Sequence, residues 1–394
     1  MSQAYIISAK RTPIGGFNGT LSSLSSVELG IHAMKAVMKN VGLKGDEFDH
    51  VFMGNVIPTG LGQAPTKQAA LGAGISTKVP CTGVNKVCAS GMMAVILGAQ
   101  MIKLGEANCI LSGGMESMTN IPYHIPKARF GHRMGDGAII DGMLYDGLTD
   151  PFEKVSMGLA GEKCAEICKL TRKDIDDYAV QSYERSIKAT KEGLFFDEIE
   201  PIEVKKNKKA KPQIINVDDE VVRTKDPQAL RKLRPAFTKN GLMTAGNSST
   251  ISDGAAALVL VSESMLKTLK VKPIARILGY GAGAQEPMLF TTSPAIALRA
   301  ALKHANLPID SVDYHEINEA FAVVPLANQK ILSIPNDRLN VFGGAVSLGH
   351  PIGASGARII VTLLNILKKK KGKIGAATIC NGGGGASSII IELL

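Results

Sequence analysis

Apolar runs and amphipathic stretches alternate along most of the chain, and this alternation predicts its secondary structure. Apolar runs bounded by turn residues are typical of buried strands, and longer stretches with helical periodicity are typical of helices. The predicted strands are residues 4–9, 51–56, 79–83, 108–114, 254–261, 312–317, 376–381 and 387–392. The predicted helices are residues 27–38, 64–73, 89–104, 157–168, 172–192 and 294–304, one that starts at 319, and a long one that ends near 369. We therefore predict an α/β fold with a mostly parallel sheet that is covered by helices on both faces.

The regular alternation is interrupted in the middle of the chain. Residues 121–153 are crowded with Gly, Asp, Met, His and Pro, and two helical patterns and a lysine-rich stretch follow them. This change predicts a loop-rich domain that is inserted into the α/β fold. We place the N-terminal half at residues 1–120, completed by about 247–272, the loop domain at 121–246, and the C-terminal half at 273–394.

The two ends of the chain resemble each other in the spacing of three landmarks. These landmarks are Asn55, Ser90 and Ser112 in the first half, and Asn318, Ser355 and Asn381 in the second. Chance similarity among turns rich in Gly, Ala and Ser is the alternative, but the nearly equal intervals favour duplicated halves. Two like sheets would then pack around a pseudo-twofold axis, and their loops would meet at one central site.

The chain has 394 residues and a formal net charge of +10. The basic residues concentrate at Lys205, Lys206, Lys208, Lys209 and Lys211, at Lys225, Arg231, Lys232 and Arg234, and at residues 368–371. No aromatic residues are interleaved with them, so a nucleic-acid surface is weakly supported. A solvated face is the default interpretation, and a small ligand that carries phosphate is the sharper one.

The cysteines and the termini bear on compartment and cofactors. The six cysteines are Cys81, Cys88, Cys109, Cys164, Cys168 and Cys380. Their scatter over a long chain indicates reduced thiols inside a cell, and no second Cys/His pair lies near Cys164 and Cys168 to form a zinc site. No run free of charges is long enough to cross a membrane, and no signal segment is present. We expect a cytoplasmic protein, or one of the mitochondrial matrix if a presequence has been removed.

Cys88 stands at the centre of the first half, after a turn and before the apolar helix predicted at 89–104. The free N–H groups and the positive end of the dipole at a helix N-terminus favour an anion. We therefore expect a lowered thiol pKa and a nucleophilic Cys88. The alternative is a buried structural cysteine, which is a common role for a free Cys.

If the halves meet as proposed, Cys88, Asn318, His350 and Cys380 converge. His350 can accept the proton of Cys88. Cys380 precedes four glycines, which predicts an exposed thiol that can remove a proton from carbon or return one to a leaving sulfur. Asn318 can orient a water, and the N–H of Gly382 can donate to an oxyanion. Each residue alone also has a structural interpretation, since His350 could cap a turn and Cys380 could lie in the core.

Eight segments spread over nearly the whole chain resemble the thiolase family, and they occur in the family's order. They are residues 11–15 (RTPIG), 85–91 (NKVCASG), 112–118 (SGGMESM), 233–237 (LRPAF), 244–247 (TAGN), 318–321 (NEAF), 349–353 (GHPIG) and Cys380 with the glycines that follow it. The resemblance is strongest to those members that condense two acetyl-CoA molecules. It implies a duplicated, layered αβαβα fold with an inserted loop domain.

The resemblance also implies a ping-pong reaction. Cys88 attacks acetyl-CoA with His350 as its base, and Cys380 takes a proton from the methyl group of a second acetyl-CoA. The products are acetoacetyl-CoA and CoA, and the reverse reaction is thiolysis. One oxyanion hole is formed by His350 with a water held by Asn318, and the other by the N–H groups of Cys88 and Gly382.

Further residues are implied by the same resemblance. Substrate and CoA contacts fall on Ser249 at the pantetheine arm, Arg223 beside the adenine, Met157 at the acyl end, and on Ala245, Ala320, Phe321 and Phe290. Residues 121–145 resemble a tetramerisation loop, so a homotetramer is implied, and no metal or redox cofactor is required. Ser156 replaces a family histidine at a pantetheine contact. Phe290 matches the residue found in the potassium-activated branch of the family. Val221 and Val222, however, stand where that branch has a tyrosine associated with its potassium site. Potassium activation therefore stays open.

Three alternatives compete with the short-chain reaction. A broad-range 3-ketoacyl-CoA thiolase is the nearest, and Met157 disfavours it because the family's residue there restricts the pocket to short acyl chains. A scaffold that binds acyl-CoA without turnover is disfavoured because all four reactive residues are intact. A decarboxylating ketosynthase would more typically pair one Cys with two His, and Cys380 speaks against it.

Overall fold

The computed structural model describes residues 3–205 and 209–394. Its strands are β1 (Ala4–Arg11), β2 (Gly15–Gly16), β3 (His50–Gly54), β4 (Cys81–Val84), β5 (Cys109–Ser117), β6 (Tyr123–His124), β7 (Ile140–Asp141), β8 (Thr149–Asp150), β9 (Val155–Ser156), β10 (Ile202–Val204), β11 (Gln213–Ile215), β12 (Ser252–Ser262), β13 (Ala275–Ala284), β14 (Tyr314–Ile317), β15 (Ile374–Asn381) and β16 (Gly385–Leu393). Its α-helices are α1 (Ser26–Val41), α2 (Pro65–Gly72), α3 (Ser90–Leu104), α4 (Gly158–Cys168), α5 (Arg172–Lys191), α6 (Asp219–Arg223), α7 (Glu263–Leu269), α8 (Ser293–Ala305), α9 (Val323–Leu332), α10 (Ala345–Leu348) and α11 (Ile352–Lys370).

One large sheet joins strands from both ends of the chain. Its order is β4-β3-β5-β12-β1 in the first half, and it continues as β13-β16-β15-β14 in the second. The halves are joined where Tyr5 and Ile6 of β1 pair with Arg276 and Ala275 of β13. Outward from this junction, β1, β12, β5 and β3 of the first half correspond in order to β13, β16, β15 and β14 of the second, and β4 has no counterpart among the named strands. The duplication inferred from the landmarks is therefore visible in the topology.

The prediction of a mostly parallel sheet is wrong. The pairs β3/β4, β3/β5 and β14/β15 are parallel, whereas β1/β12, β5/β12, β1/β13, β13/β16 and β15/β16 are antiparallel. In the second half the glycine turn at 382–384 folds β16 straight back along β15. In the first half the inserted segment returns the chain as β12, antiparallel to β5. Local alternation of strand and helix does not reveal either reversal.

Helices α3 and α11 form the central layer and contact strands of both halves. Helix α1 covers the outer face of the first half, and α8 covers that of the second. The layers are therefore α, β, α, β, α, which confirms the predicted fold class. Among the described residues, the segment Val87–Leu104 is long and apolar enough to cross a membrane by composition alone. Its place in the central layer accounts for that composition.

The two central helices touch through glycines. A Cβ added at Gly356 would lie 2.4 Å from the backbone N of Met92, and one at Gly91 would lie 2.9 Å from the backbone N of Ala357. Only glycine permits this approach, because any side chain would collide with backbone atoms of the facing helix. The N-terminal ends of α3 and α11 consequently meet near the middle of the molecule, close to Cys88 and His350.

The helix predicted from residue 319 begins only at Val323. The intervening residues form a turn because the side chain of Glu319 turns inward. Its carboxylate accepts hydrogen bonds from the Tyr178 hydroxyl at 2.9 Å, the Ser182 hydroxyl at 2.8 Å and the backbone N–H of Val346 at 3.0 Å. This network holds the segment that carries Asn318.

We expect Arg11→Met to destabilise the fold strongly. Arg11 is fully buried, and its guanidinium binds Glu198 at 2.6 Å and both carboxylate oxygens of Asp218 at 2.7 and 3.0 Å. Loss of the cation leaves two buried carboxylates unpaired, which costs about 3–5 kcal/mol. Urea denaturation measures the free energy of unfolding. Arg11→Lys keeps the charge and should lose less, so equal losses in both variants would contradict this explanation.

Candidate active site

A cavity of about 470 Å³ opens between the inserted segment and the ends of the central strands. It is lined by eight of the residues singled out from the sequence, namely Ser156, Met157, Arg223, Ala245, Ser249, Ala320, Phe321 and His350. Phe290 does not line it. That side chain is buried in the core cluster that also contains Cys380 and Phe321. Phe290 therefore lies behind the cavity wall, and its contact with substrate stays a prediction.

The backbone forms a sharp turn directly before Cys88. Val87 has φ of 46°, a left-handed conformation that is strained for a β-branched residue. Two side chains hold the turn: the Asn85 carbonyl oxygen accepts from the Val87 N–H at 3.0 Å, and the Ser90 hydroxyl donates to the Val87 carbonyl at 2.6 Å. Strain that is held this firmly is typical of a functional position, and here it fixes the direction of the Cys88 side chain.

The Cys88 sulfur faces two backbone N–H groups, that of Gly382 and its own. Cys88 as a residue is partly exposed, but its sulfur is enclosed and packs beside the cluster that contains Met118 and Ile352, two residues that also line the cavity. The expectation of a lowered pKa is wrong. Burial raises the pKa of Cys88 to about 12, and the Glu116 carboxylate adds to the rise, although the two N–H groups offset part of it. The resting thiol is protonated and needs a base.

His350 can serve as that base. Its Nδ1 lies 2.6 Å from Oγ of Ser355, and the Ser355 hydroxyl donates to the carbonyl of Pro351 at 2.9 Å. Because that hydroxyl hydrogen is used, Ser355 accepts from Nδ1–H, and Nε2 keeps its lone pair. Burial and, to a smaller extent, the charge of Arg358 together lower the pKa of His350 to about 3. The ring is thus neutral, with a free acceptor at Nε2.

Asn318 stands beside the imidazole. Its Nδ2 lies 3.5 Å from Nε2 of His350. Its Oδ1 is buried and meets no hydrogen-bond partner within residues 3–205 and 209–394. A buried carbonyl oxygen without a partner is costly unless a water or a ligand satisfies it. Asn318 is therefore suited to hold a polar group next to His350.

Cys380 lies near the end of β15, just before the glycine turn. The prediction that its thiol is exposed is wrong, because Cys380 is fully buried. Gly383 and Gly384 have φ of 79° and 84°, and the turn brings β16 back alongside β15, while the Cys380 side chain packs in the core cluster that contains Phe290 and Phe321. Burial raises the pKa of Cys380 well above its usual value, and the neighbouring Cys88 raises it further. The two catalytic candidates therefore lie close together.

Two residues of the site were missed as functional from the sequence. Ser355 was noted only as a landmark of the repeat, although a serine five positions after a histidine at a helix start is a usable signal. Glu116 is fully buried and accepts from the backbone N–H groups of Val56 and Gly353 at 2.8 and 2.9 Å. Burial raises its pKa to about 7. It joins a loop of the first half to the start of α11.

We expect Ser355→Ala to lower kcat about tenfold, which corresponds to ~1.4 kcal/mol, with little change in KM. Without Oγ the imidazole loses the partner that fixes its tautomer and orientation. Steady-state assays with acetoacetyl-CoA and CoA measure both constants. Ser347→Ala is a matched control, because Ser347 is also buried but bonds to Ser182 and the Gly344 carbonyl. An equal loss in the control would refute a specific role.

The geometry now defines a class of protein. The Cys88 thiol faces two N–H donors, and the Cys380 thiol lies beside it. Neither cysteine lines the cavity of about 470 Å³, whereas the neutral imidazole of His350 does. This is the arrangement of an enzyme that transfers an acyl group through a cysteine thioester. Residues 4–264 match the thiolase N-terminal domain and residues 271–393 match the thiolase C-terminal domain. The chain belongs to the thiolase family.

Relatives match the whole chain. It is 53% identical over 390 residues to acetyl-CoA acetyltransferase 2 of Arabidopsis thaliana, covering 99% of this chain and 96% of that protein. It is 50% identical over 390 residues to the cytosolic acetyl-CoA acetyltransferase ERG10 of Gibberella zeae, covering 99% and 98%. Among solved structures, the Acat5 thiolase of Ascaris suum in complex with coenzyme A has a TM-score of 0.94, with 42% identity and complete coverage of both chains.

Proposed function

We propose that this thiolase is an acetyl-CoA C-acetyltransferase, which condenses two acetyl-CoA molecules to acetoacetyl-CoA and CoA and also runs the reverse thiolysis. The observation that carries the proposal is the Cys88 sulfur facing the N–H groups of Gly382 and Cys88, with Cys380 beside it. The full-length similarity to acetyl-CoA acetyltransferases supports the choice of acyl group.

The first half of the reaction loads the enzyme. Nε2 of His350 accepts the proton of Cys88 as the sulfur attacks the thioester carbonyl. The oxyanion that forms is stabilised by the N–H groups of Cys88 and Gly382, which are already in place. CoA leaves as a thiolate and takes a proton from Cys380. Acetyl-Cys88, protonated His350 and the Cys380 thiolate result.

The second half makes the carbon–carbon bond. The Cys380 thiolate removes a proton from the methyl group of a second acetyl-CoA. Its enolate oxygen is stabilised by Nε2–H of His350 and by a water on Oδ1 of Asn318. The carbanion attacks the acetyl carbonyl, and Cys88 leaves and takes back its proton from His350. No step requires a redox cofactor, since fixed donors stabilise each charge that develops.

Substrate contacts follow from the cavity lining. We assign Ser249, Ala245, Ala320 and Phe321 to the pantetheine arm, which must pass between them to reach Cys88. We assign Arg223 to the adenine end of CoA. Arg223 lines both the cavity and a neighbouring polar groove, which is also lined by Gln213 of β11. The lysine-rich stretch was expected near the CoA phosphates; Lys206 and Lys208 lie outside the described residues.

We expect Met157→Ala to widen the acyl range. A Cβ built on Gly382 would lie 3.5 Å from Cε of Met157, so this side chain closes the space next to the catalytic turn. Removing it should raise kcat/KM for 3-ketoacyl-CoAs with longer chains about tenfold relative to acetoacetyl-CoA. Met157→Leu keeps the volume and serves as control. If the unmodified enzyme already cleaves long and short chains equally well, the broad-range alternative is correct.

We propose that potassium is not required. Valine has no side-chain oxygen, so neither Val221 nor Val222 can bind the cation through its side chain. Val221 is buried among Ile14, Phe342 and Leu348, and Val222 is exposed. Assays at equal ionic strength in KCl and NaCl should give equal rates. Activation by KCl of several-fold would contradict this proposal.

Assembly and compartment are also proposals. Residues 121–145 expose large apolar side chains, including Phe130 at 86% and Met134 at 93% of their surface, as expected of a segment that another subunit covers. We propose that residues 121–145 mediate a homotetramer. They belong to the loop domain at 121–246, which is inserted between the halves at 1–120 and 273–394. Native mass spectrometry tests this proposal.

The relative from Gibberella zeae is described as cytosolic, and we propose the same compartment for this protein.

A further inference from the structure

A second cavity, of about 460 Å³, lies between α4, α9 and residues 285–292. Cys164 and Cys168 of α4 and Lys330 of α9 line it. None of the residues that line this cavity lines the one that contains His350. The proposed reaction leaves both cysteines without a role.

The two thiols form a polarised pair. Cys164 is buried and Cys168 is partly exposed, and their side chains are hydrogen-bonded to each other. The Lys330 ammonium donates to the carbonyl of Cys168 at 3.0 Å, which places its charge at the same end of the helix. The hydrogen bond from Cys164 lowers the pKa of Cys168 to about 7, and Lys330 contributes to the decrease.

The other groups around the pair are basic or neutral. Lys169, the next residue, also lines the cavity, and the residues of 285–292 that line it are Gln285, Leu289, Thr291 and Thr292, which do not titrate. Within the part of the chain that the structure describes, no carboxylate lines this cavity. The lining suits a reagent that carries carboxylates.

A disulfide between Cys164 and Cys168 is disfavoured by helix geometry. Side chains four apart on a helix have Cβ atoms about 5–6 Å apart, whereas a disulfide needs ~3.5–4.5 Å. The pair could close only if the last turn of α4 unwound. Cys164 is therefore suited to donate a hydrogen bond to the Cys168 thiolate, and a disulfide partner for Cys168 must come from a disulfide reagent outside the chain.

We propose that Cys168 is a site of reversible S-thiolation by low-molecular-weight disulfides, and that the adduct occupies this second cavity. The Cys168 thiolate attacks one sulfur of the disulfide RSSR. A Cys168–S–S–R bond forms, the S–S bond of the reagent breaks, and RS⁻ leaves with the electron pair. Cys168 is oxidised and the departing half of the reagent is reduced, so no other oxidant is needed.

The cavity has a direct connection to the catalytic turn. The N–H of Gln285 donates to the carbonyl of Gly384 at 3.0 Å, and the Ser293 hydroxyl donates to the same carbonyl at 2.7 Å. The Gln285 amide in turn donates to Thr292 and Ser293 at 2.7 and 3.0 Å. An adduct that displaces Gln285 loosens Gly384, two residues from the Gly382 donor, and lowers activity.

The test uses the full chain and oxidised glutathione, followed by intact mass and peptide mapping. We expect one glutathione on Cys168, removed by dithiothreitol, with a rate that rises through a midpoint near pH 7. Cys164→Ala should slow the reaction at pH 7 roughly threefold, because a smaller fraction of Cys168 is then thiolate. In the unmodified chain the lower pKa makes the Cys168 thiolate a weaker nucleophile, but its larger thiolate fraction outweighs that loss. Cys164→Ser keeps a donor and should react like the unmodified chain. Lys330→Gln should be slower than Lys330→Arg.

Activity is followed in the same samples by thiolysis of acetoacetyl-CoA. The modified enzyme should lose activity, and Cys168→Ser should keep its activity in the presence of the reagent. The proposal fails if Cys168 stays unmodified, if a Cys164–Cys168 disulfide forms instead, or if Cys164→Ala reacts as fast as the unmodified chain. Full activity of a completely modified enzyme would refute the placement of the adduct. Inactivation of Cys168→Ser would show that the reagent acts elsewhere.

Discussion

Cys88→Ala should abolish acetyl transfer, with kcat lowered at least about 10⁴-fold. The substitution removes the sulfur that faces the N–H groups of Gly382 and residue 88. Without it the substrate carbonyl has donors but no nucleophile. Intact mass after mixing with acetyl-CoA should show one added acetyl group on Cys88 in the unmodified enzyme and none in the variant.

Binding must be measured alongside, because a misfolded variant would also fail to acetylate. Isothermal titration with CoA should give the same affinity for Cys88→Ala and the unmodified chain, since the arm and adenine contacts lie elsewhere. An acetyl group that maps to another residue would refute the assignment. Retained CoA binding with no acetyl-enzyme in the unmodified protein would favour the scaffold without turnover.

Cys380→Ser should separate the two half-reactions. We expect condensation to fall about 10³-fold, because a hydroxyl with a much higher pKa cannot take a proton from the methyl group. Acetylation of Cys88 should continue, about tenfold slower, since only protonation of the departing CoA is impaired. Rapid-quench mass spectrometry gives the acetylation rate, and coupled detection of acetoacetyl-CoA gives the condensation rate.

A matched control is Cys164→Ser, which replaces another buried thiol of the same core cluster but one that faces the second cavity. It should leave both half-reactions near their normal rates. If Cys380→Ser slowed acetylation as much as condensation, Cys380 would be acting in both steps equally, and its role as the carbon base would need to be abandoned. If it condensed at full rate, the base would be another group.

Much of this site could be predicted from the sequence because the reactive residues sit at turns with distinct local signals. Cys88 is followed by small residues and an apolar helix, and Cys380 is followed by four glycines. The landmark spacing also predicted that loops of two halves meet. The structure agrees, since Cys88 of one half and Gly382 of the other share a hydrogen-bonding arrangement.

What the sequence could not supply was the environment that distant segments create. The pKa of Cys88 rises because burial outweighs the favourable N–H groups, and burial depends on clusters that include Met118, Ile251 and Ile352. The glycines after Cys380 suggested exposure, yet its side chain packs in a core cluster built by distant segments, including Phe290 and Phe321. Local pattern also could not show that Phe290 lies behind the site, because its packing is set by α4 and α8.

The contact between Gly91 and Gly356 has a consequence for how catalytic competence arises. The nucleophile comes from one repeat, and the base and the second thiol come from the other. The sheets of the two repeats are joined at two residue pairs of β1 and β13, and the central helices are in contact at their glycines, so the sulfur faces its Gly382 donor only when the two repeats are docked. A chain with only one repeat folded has no reactive thioester chemistry. The rate at which Cys88 becomes acetylated during refolding therefore measures how fast the two repeats dock.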